Sequence, residues 1–361
     1  MLSLETIVST ASSEAKRHAA VQKQGTATFR KIGAGACGAI FAQDGKSLVI
    51  KLGKTTDHAS LWNDYKHHTH IEAVFDTYGG DSVVKIPECY YFVPHELTDW
   101  FDLRPGLVHA AQEVCHLPTA ALVAERILPL PEVIRVMLIE RYCPPRIKQA
   151  ALIDPANKDC LIRPYLGSNK TRAGIFFSLR NFKLHLNQMV EIGVDIAMFN
   201  RKMAVSMAIM HWAARVDARD AEFVIGSSTA KSTPAQLRPA QLEGLTKPTY
   251  TGPSTLLDED FFQRSIDLCI MDFNQVRSIT LDEAGVALAV EAVKLNDPYL
   301  PRPGGASRVE NDLWVTFVAS YIAASDSILA ALGFKEGGKE MMLPRQFIRG
   351  MISLYSSKLD E

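Results

Sequence analysis

The stretch "FRKIGAGACGAIFAQDGKSLVIKLGK", residues 29–54, combines a glycine-rich turn with three short segments of β-type residues. Apolar and polar residues alternate on both sides of the turn, and an Asp-Gly step separates the second segment from the third. This pattern predicts three antiparallel strands joined by tight turns. Gly33, Gly35 and Gly38 form the sequence GxGxxG, and Lys51 interrupts the apolar third strand.

The residues that follow extend this sheet. Residues 60–80 have apolar positions near helical spacing and end on two glycines, which predicts a helix. Residues 83–93 and 120–128 predict two more strands, separated by an irregular insertion. After an N-terminal arm of residues 1–28, the segment 29–130 therefore predicts the order β-β-β-α-β-β, which is typical of the small lobe of a protein kinase.

Helical patterns dominate the remainder, residues 131–361. Residues 187–214 predict one long helix with a methionine-rich stripe that packs in the core. The polar residues 226–256 predict a long mobile loop, and residues 282–295 and 311–332 predict further helices. The predicted fold class is α+β, a protein-kinase-like fold with a small β-rich lobe and a larger, mainly helical lobe.

Composition limits the partners. With a net charge of −1, the chain has no overall field that would attract DNA, RNA or anionic lipid, so an RNA partner requires a local basic patch. Candidate patches are Lys16-Arg17, Arg141–Lys148 and Arg163–Arg172, although each is also compatible with a solvated face. The N-terminus lacks the apolar core of a signal peptide, and no run of about 20 apolar residues is evident. We therefore expect a cytoplasmic protein without a membrane partner.

The six cysteines are scattered and include no CxxC pair. Zinc-finger spacing is absent, and a disulfide framework is not expected in the cytosol. The sequence thus predicts reduced, mostly buried thiols and no metal site built from cysteines.

Three acidic residues occur where kinases place their catalytic and metal-binding groups. Asp217 lies five residues before Glu222, in the spacing of the catalytic aspartate and the metal-binding asparagine. Asp272 begins an Asp-Phe-Asn sequence that ends at Asn274, where kinases have Asp-Phe-Gly. With Asp220, these carboxylates predict an acidic site suited either to Mg²⁺ or to an organic cation.

Glu72, on the helix that follows Lys51, stands where kinases place the ion-pair partner of this lysine. Simpler interpretations remain open for several residues. Lys51 and Glu72 are also compatible with a purely structural ion pair, and Asp220 with a turn cap. His211 and Trp212 are compatible with closing the long helix against the core.

The departures from kinases are substantial. Glu222 replaces the asparagine, Asn274 replaces the glycine, and Val216 replaces the arginine that usually precedes the catalytic aspartate. Fifty-five residues separate Asp217 from Asp272, and no Ala-Pro-Glu sequence closes an activation segment. A kinase-like fold therefore does not by itself imply kinase chemistry.

Four strings carry a resemblance to a known family: residues 160–167, 178–182, 207–226 and 271–303. Over roughly residues 29–305 the chain resembles a fungal family of kinase-like proteins formerly described as zinc-finger-like or of unknown function. That family includes arginine-containing cyclodipeptide synthases, which join arginine and a second amino acid, both supplied on aminoacyl-tRNAs, into a diketopiperazine.

This resemblance implies an aminoacyltransferase of secondary metabolism that uses arginyl-tRNA and a second aminoacyl-tRNA and needs no cofactor. Asp217, Glu222 and Asp272 are then the expected catalytic groups. The residues expected to bind substrate are Gly33, Gly35, Gly38, Lys51, Glu72, Asp220 and Asn274. The glycine turn and Lys51 would hold tRNA phosphates. Direct transfer and a covalent acyl-enzyme both remain open, as do the second amino acid and the oligomeric state.

Two other functions fit the same residues. One is an ATP- and Mg²⁺-dependent small-molecule phosphotransferase, favoured by Lys51, Glu72, Asp217 and Asp272. The other is a non-catalytic pseudokinase-type binding protein, favoured by the altered asparagine and glycine positions.

Overall fold

The protein forms two lobes, each with a five-stranded sheet. The computed structural model describes residues 7–8, 28–43, 46–55, 59–80, 82–170, 176–231 and 259–356. Within this part of the chain the first lobe is β-rich and the second carries most of the helices, which confirms the predicted α+β, two-lobe fold.

The strands are β1 (Ile7–Val8), β2 (Phe29–Ala34), β3 (Gly38–Gln43), β4 (Leu48–Gly53), β5 (Cys89–Val93), β6 (Ala121–Glu125), β7 (Ile162–Tyr165), β8 (Phe182–His185), β9 (Glu222–Lys231) and β10 (Glu259–Met271). The α-helices are α1 (Ala59–Tyr78), α2 (Asp99–Asp102), α3 (Pro105–Ala111), α4 (Glu132–Tyr142), α5 (Lys148–Ile153), α6 (Leu186–Glu191), α7 (Ile196–Ala208), α8 (Glu283–Asn296), α9 (Arg308–Ala331) and α10 (Leu343–Ser356).

The small lobe is an antiparallel sheet in the order β2-β3-β4-β6-β5. Because side chains alternate between the two faces of a strand, Phe41, Ile50 and Leu52 enter one core together with Trp100 and Leu107 of the α2–α3 insertion. The neighbours Val49 and Lys51 consequently lie on the other face of β4. The predicted order of strands and the helix α1 are confirmed, and the insertion contributes two short helices.

The large lobe has the sheet order β1-β10-β9-β7-β8, in which only the β7–β8 pair is parallel. Isolated bridges between Lys85 and Cys269, and between Leu128 and Ser227, join the two lobes. Helix α1 also connects them, because Leu61 packs with the small-lobe residue Leu122 while the later residues of α1 enter the large core.

Two predictions for the large lobe are wrong in detail. The long helix predicted over 187–214 is divided into α6 and α7 at Gly193, whose φ of 71° is a left-handed conformation that ends a helix. Residues 226–231, assigned to the predicted loop, belong to β9; residues 232–256 lie outside the described part of the chain. The sequence did not predict α10.

The methionine-rich stripe is a core feature, as predicted. Met189, Met203, Met207 and Met210 are buried in the large core. All six cysteines are free, and four of them are buried, in agreement with the predicted reduced thiols.

Helix α9 is long and apolar enough, by length and composition, to cross a membrane, and a third of its most apolar window is buried in the fold. One such helix is weak evidence for a membrane span, since core helices of soluble proteins pass the same test. The helix is not an unbroken run of about 20 apolar residues, because Asp326 and several serines interrupt it. The side chains of Leu313, Phe317 and Tyr321 follow one face of α9 and are buried in the large core.

His211 and Trp212 are fully buried in a π-helical turn, Ile209–Ala213, that continues α7. His211 Nδ1 lies 2.8 Å from the hydroxyl of Tyr321, and the ring of Phe347 packs edge-on against the imidazole. Burial lowers the pKa of His211 to about 3. The interpretation that these residues close the helix against the core is therefore confirmed.

A buried neutral histidine makes stability depend on pH. Below the unfolded-state pKa of about 6.5, the unfolded chain binds a proton that folded His211 does not accept, so acidification favours unfolding. Between pH 7.5 and 5.5, His211 should lower the free energy of unfolding by about 1.4 kcal/mol. Urea denaturation at both pH values measures how much free energy of unfolding each protein loses on acidification. The loss should be smaller by about 1.4 kcal/mol in His211→Gln than in the native protein. An equal loss in both proteins would contradict the assignment.

Candidate functional site

A cavity of about 200 Å³ lies between the two lobes. Its small-lobe wall includes the glycine turn, Val49 and Lys51, and its large-lobe wall includes Glu222 and Asp272. Asp64 of α1 also lines it. The cavity thus gathers several of the predicted site residues from distant parts of the sequence.

The Lys51 ammonium is held between two carboxylates. Its Nζ lies 2.6 Å from Asp64 Oδ2 and 2.7 Å from Asp272 Oδ1. The Lys51 and Asp64 side chains are only 14% and 3% exposed, whereas that of Asp272 is 33% exposed. Burial by itself lowers the pKa of Lys51, but the two carboxylates outweigh it, so the pKa is raised. Lys51 is therefore a permanently charged structural cation that joins the two lobes.

Glu72 is not the partner of Lys51, so that prediction is wrong. It lies eight residues beyond Asp64, about 12 Å further along α1, where its Oε2 accepts a hydrogen bond from the Cys89 amide. Burial raises the pKa of Glu72. The sequence contained a signal for Asp64: it belongs to the buried stripe of α1, between Leu61 and Ile71, where an unpaired carboxylate would be costly.

The glycine turn lines the cavity only in part. Gly33 and Gly35 are wall residues, and the Gly35 amide donates a hydrogen bond to the Gly38 carbonyl to close the turn. Gly38 serves packing instead: a Cβ at this position would lie 2.8 Å from the Leu52 carbonyl oxygen. Its requirement for glycine thus arises from the neighbouring strand and not from a ligand.

Asp217 braces a loop and does not face the cavity. Its side chain is fully buried, and Oδ1 accepts hydrogen bonds from the Arg219 and Arg277 amides. Oδ2 lies 2.5 Å from Arg277 Nε. The expectation that Asp217 and Glu222 share one cleft is therefore wrong for Asp217.

The braced loop carries unusual backbone conformations. Arg215, Ala218 and Asp220 have φ angles of 54°, 55° and 59°, in the left-handed region that non-glycine residues rarely adopt. Asn296 helps to fix them, because its side chain accepts a hydrogen bond from the Asp220 amide and donates one to the Ala218 carbonyl. Such strain commonly persists at functional sites.

Glu222 and Asp272 are brought together by strand register. Glu222 begins β9 opposite Met271, the last residue of β10, so Asp272 follows directly beside it. Both oxygens of Glu222 accept hydrogen bonds from Arg163 Nη2, at 2.5 and 2.6 Å. Burial raises the pKa of Glu222; Arg163 opposes this effect, and Asp272 and Asp220 add to it.

Asp220 lies near this pair without lining the cavity. Its carboxylate accepts a hydrogen bond from Gln275 Nε2, and its pKa is raised by burial and by Asp272. Asn274 also lies outside the wall; its carbonyl accepts a hydrogen bond from Asn63 of α1, and its Oδ1 has no partner among the described residues. Neither the Asp220 nor the Asn274 side chain lines the cavity.

Three arginines also line the cavity: Arg126, Arg163 and Arg180. Of these, sequence reasoning placed only Arg163 in a candidate basic patch. Arg180 precedes β8, which pairs with β7, the strand of Arg163. No local pattern distinguishes such arginines from surface ones, because they approach each other only through the pairing of β7 and β8.

A family model described as "Zinc finger protein" matches residues 268–332, from the end of β10 through α9. No curated protein and no solved structure matches the chain. The matched segment contains Asp272 and Arg277. It is much shorter than the resemblance expected over roughly residues 29–305.

The zinc-finger description finds no support in the described part of the chain. Among those residues, no group of three or more His, Cys, Asp or Glu side chains is arranged to hold a metal ion. The cysteines that a finger would use are dispersed over both lobes.

The pairing of Lys51 can be measured by double-mutant cycles in urea denaturation. Lys51→Met combined with Asp64→Asn should reveal a coupling of about 1–3 kcal/mol, because the groups are in contact. Lys51→Met combined with Glu72→Gln should be additive within about 0.5 kcal/mol. A larger coupling to Glu72 would contradict the site geometry.

The structural role of Asp217 predicts a loss of stability. Asp217→Ala leaves two backbone amides and a guanidinium without their acceptor, so it should cost about 2–4 kcal/mol in free energy of unfolding. Asp220→Ala, which removes a half-buried carboxylate with one side-chain partner, should cost less than about 1 kcal/mol. Equal losses in chemical denaturation would show that Asp217 is not the brace.

Proposed function

We propose that the protein is an aminoacyl-tRNA-dependent cyclodipeptide synthase that makes a cyclo(Arg-Xaa) diketopiperazine. The observation that carries this proposal is the pair Glu222 and Asp272, two carboxylates that the register of β9 and β10 brings together at one cavity, with the carboxylate of Asp220 close by outside the wall. The partners would be arginyl-tRNA and a second aminoacyl-tRNA, which are available in the cytoplasm. Neither a metal nor ATP is required, since the aminoacyl ester is already activated.

The charge balance of the site favours a cationic substrate. Asp64, Glu222 and Asp272 line the cavity and are paired with two cations, Lys51 and Arg163, whereas Asp220, outside the wall, also has Arg219 nearby. One negative charge is thus in excess among the paired cavity groups when all of them are ionised. Paired carboxylates suit the guanidinium of arginine and the ammonium of an amino acid.

Glu222 is the best candidate for the general base. In each amide-forming step, the α-amine of one aminoacyl group attacks an ester carbonyl; the N–C bond forms and the ester C–O bond breaks. The ammonium first gives a proton to Glu222, and the departing ribose oxygen takes up a proton. A carboxylate with a raised pKa suits both transfers near neutral pH. The second step is the same reaction within the dipeptidyl ester, and it closes the ring.

Direct transfer is favoured over an acyl-enzyme. No serine, threonine or cysteine occurs among the described residues that line the cavity. Lys51 is a poor nucleophile because its raised pKa keeps it protonated. Alignment of amine and ester in the cavity would then supply much of the rate, up to about 7–11 kcal/mol of the barrier.

The phosphotransferase alternative has one observation in its favour. Lys51 contacts Asp272, and Asp272 and Glu222 present the oxygen ligands that Mg²⁺ prefers. Three observations weaken it. Asp64 and Asp272 neutralise Lys51, and Arg163 already engages both oxygens of Glu222. In addition, the backbone amide of Arg126, a residue of the cavity wall, donates its hydrogen bond to the Ser47 carbonyl. The pseudokinase-type alternative predicts neither activity.

The decisive experiment replaces the proposed base. Glu222→Gln keeps the shape but cannot accept a proton, so diketopiperazine formation from charged tRNA should fall about 10²–10⁴-fold. Glu72→Gln, a matched change outside the cavity, should retain activity. Purified proteins would be compared by mass spectrometry, after heterologous expression has identified the product of the native chain.

A further variant, Glu222→Asn, separates the alternatives. A phosphotransferase should tolerate Glu222→Asn, which restores the kinase metal ligand, and should turn over ATP. Full diketopiperazine synthesis by Glu222→Asn would contradict the proposed mechanism. For the native enzyme, kcat/KM should decline as the pH falls through a pKa above the ordinary glutamate value, because Glu222 becomes protonated.

A further inference from the structure

Three arginines surround a single carboxylate at the cavity. Asp159 accepts a bidentate ion pair from Arg30, at 2.6 and 2.8 Å, and a hydrogen bond from Arg180 Nη2 at 3.2 Å. Arg126 Nη2 lies 3.7 Å from the same carboxylate. Burial raises the pKa of Asp159, but the arginines outweigh it and lower the pKa. We call Arg30, Arg126, Arg180 and Asp159 the arginine cluster.

Part of this cluster has a structural role. Arg30 lies on β2 of the small lobe and Asp159 in the large lobe, so their bidentate pair connects the lobes. That connection is complete without Arg180. A further guanidinium at the same carboxylate brings like charges together, and its presence calls for another explanation.

Arg180 has unused capacity. Its side chain is 33% exposed and lines the cavity, and only its Nη2 is engaged by Asp159 among the described residues, which leaves Nη1 available to a ligand; its Nε is buried and has no hydrogen-bond partner there. The Nε of Arg163, on the adjacent strand β7, is likewise without one. A guanidinium presents its donors in a planar fork that matches the oxygens of a phosphate.

We propose that Arg180, within the arginine cluster, binds a phosphate of the nucleotide that carries the amino acid at the 3′ end of the tRNA. This inference rests on the proposed function. An aminoacyl ester has no free carboxylate, so its nearest anionic group is a nucleotide phosphate. The ligand is cationic at the amino acid and anionic at the nucleotide. The cavity offers the carboxylates of Glu222 and Asp272 to the cationic end and the guanidinium of Arg180 to the anionic end.

The proposal also corrects the expected phosphate site. The glycine turn and Lys51 were the candidates from sequence, but Lys51 is held by two carboxylates and therefore stands in a locally negative environment. A phosphate placed there would meet Asp64 and Asp272. The arginine cluster is the part of the cavity wall where an anion is favoured.

Binding of adenosine 5′-monophosphate and of adenosine to the full-length protein tests the site, because the two probes differ only by the phosphate. By calorimetry, the native protein should bind the monophosphate about ten-fold or more tightly than adenosine, the effect of one or two charge-assisted hydrogen bonds. Arg180→Gln should reduce this preference to within about two-fold. No phosphate preference in the native protein, or its survival in folded Arg180→Gln, overturns the proposal.

Arg345→Gln is the matched control. Arg345 is similarly exposed, at 38%, and is paired with Asp326, and neither residue lines the cavity. It should keep the full phosphate preference. If Arg180→Gln fails to fold, Arg180→Lys replaces it: loss of the planar fork should weaken the preference at least about three-fold. An undiminished preference in folded Arg180→Lys then overturns the proposal.

A short RNA with a 3′-terminal adenosine distinguishes the source of the phosphate. The native protein should bind it more tightly than the monophosphate, and Arg180→Gln should reduce the slope of log Kd against log salt by about 0.7. Equal affinity for the monophosphate would identify a free nucleotide as the ligand and overturn the assignment to RNA. These measurements need no turnover. Arg180-dependent RNA binding without diketopiperazine synthesis would therefore overturn the proposed activity alone, and synthesis with Arg180-independent binding would overturn this site alone.

Discussion

The buried ammonium of Lys51, held between Asp64 and Asp272, is the interaction on which the arrangement of the two lobes depends. It joins a strand of the small-lobe sheet, the helix that spans both lobes and the segment after the longest strand of the large lobe. A buried charge is tolerated only with such partners, so the contact fixes where β4, α1 and β10 meet. Asp64 strengthens the junction, since its Oδ1 also accepts a hydrogen bond from the Phe273 amide.

The junction explains why the cavity separates opposite charges. The charge of Lys51 is neutralised by its two carboxylates, and Glu222 and Asp220 add further negative charge nearby. Arg163 pairs with Glu222, and the remaining positive charge of the wall is carried by Arg126, in the linker after β6, and Arg180, before β8. A ligand with a cationic and an anionic end matches this division better than a polyphosphate alone.

Features of the fold that depend on short-range sequence patterns could be predicted from the sequence. The glycine turn, the alternation that turns Lys51 away from the core, and the helices near 283–296 and 308–331 follow from short-range patterns. The roles of side chains that contact residues distant in the sequence could not be predicted in this way. Asp217 has catalytic spacing, yet Arg277, sixty residues later, makes it a buried brace. The kinase pattern points to Glu72 as the partner of Lys51, whereas the actual partner, Asp64, lies on the buried stripe of α1. The arginine cluster joins residues up to 150 positions apart, from Arg30 to Arg180, and only the fold reveals it.

The left-handed residues around Asp217 become strained when the chain folds and not when a ligand binds. Each such conformation costs about 1–3 kcal/mol, and the buried hydrogen bonds of Asp217 and Asn296 hold the loop in place regardless of any ligand. The conformational free energy of these left-handed residues is therefore spent when the chain folds. When a ligand binds later, Asp220 and Glu222 are already in position. A site prepared in this way gives up some thermodynamic stability in exchange for a smaller loss of conformational entropy on binding.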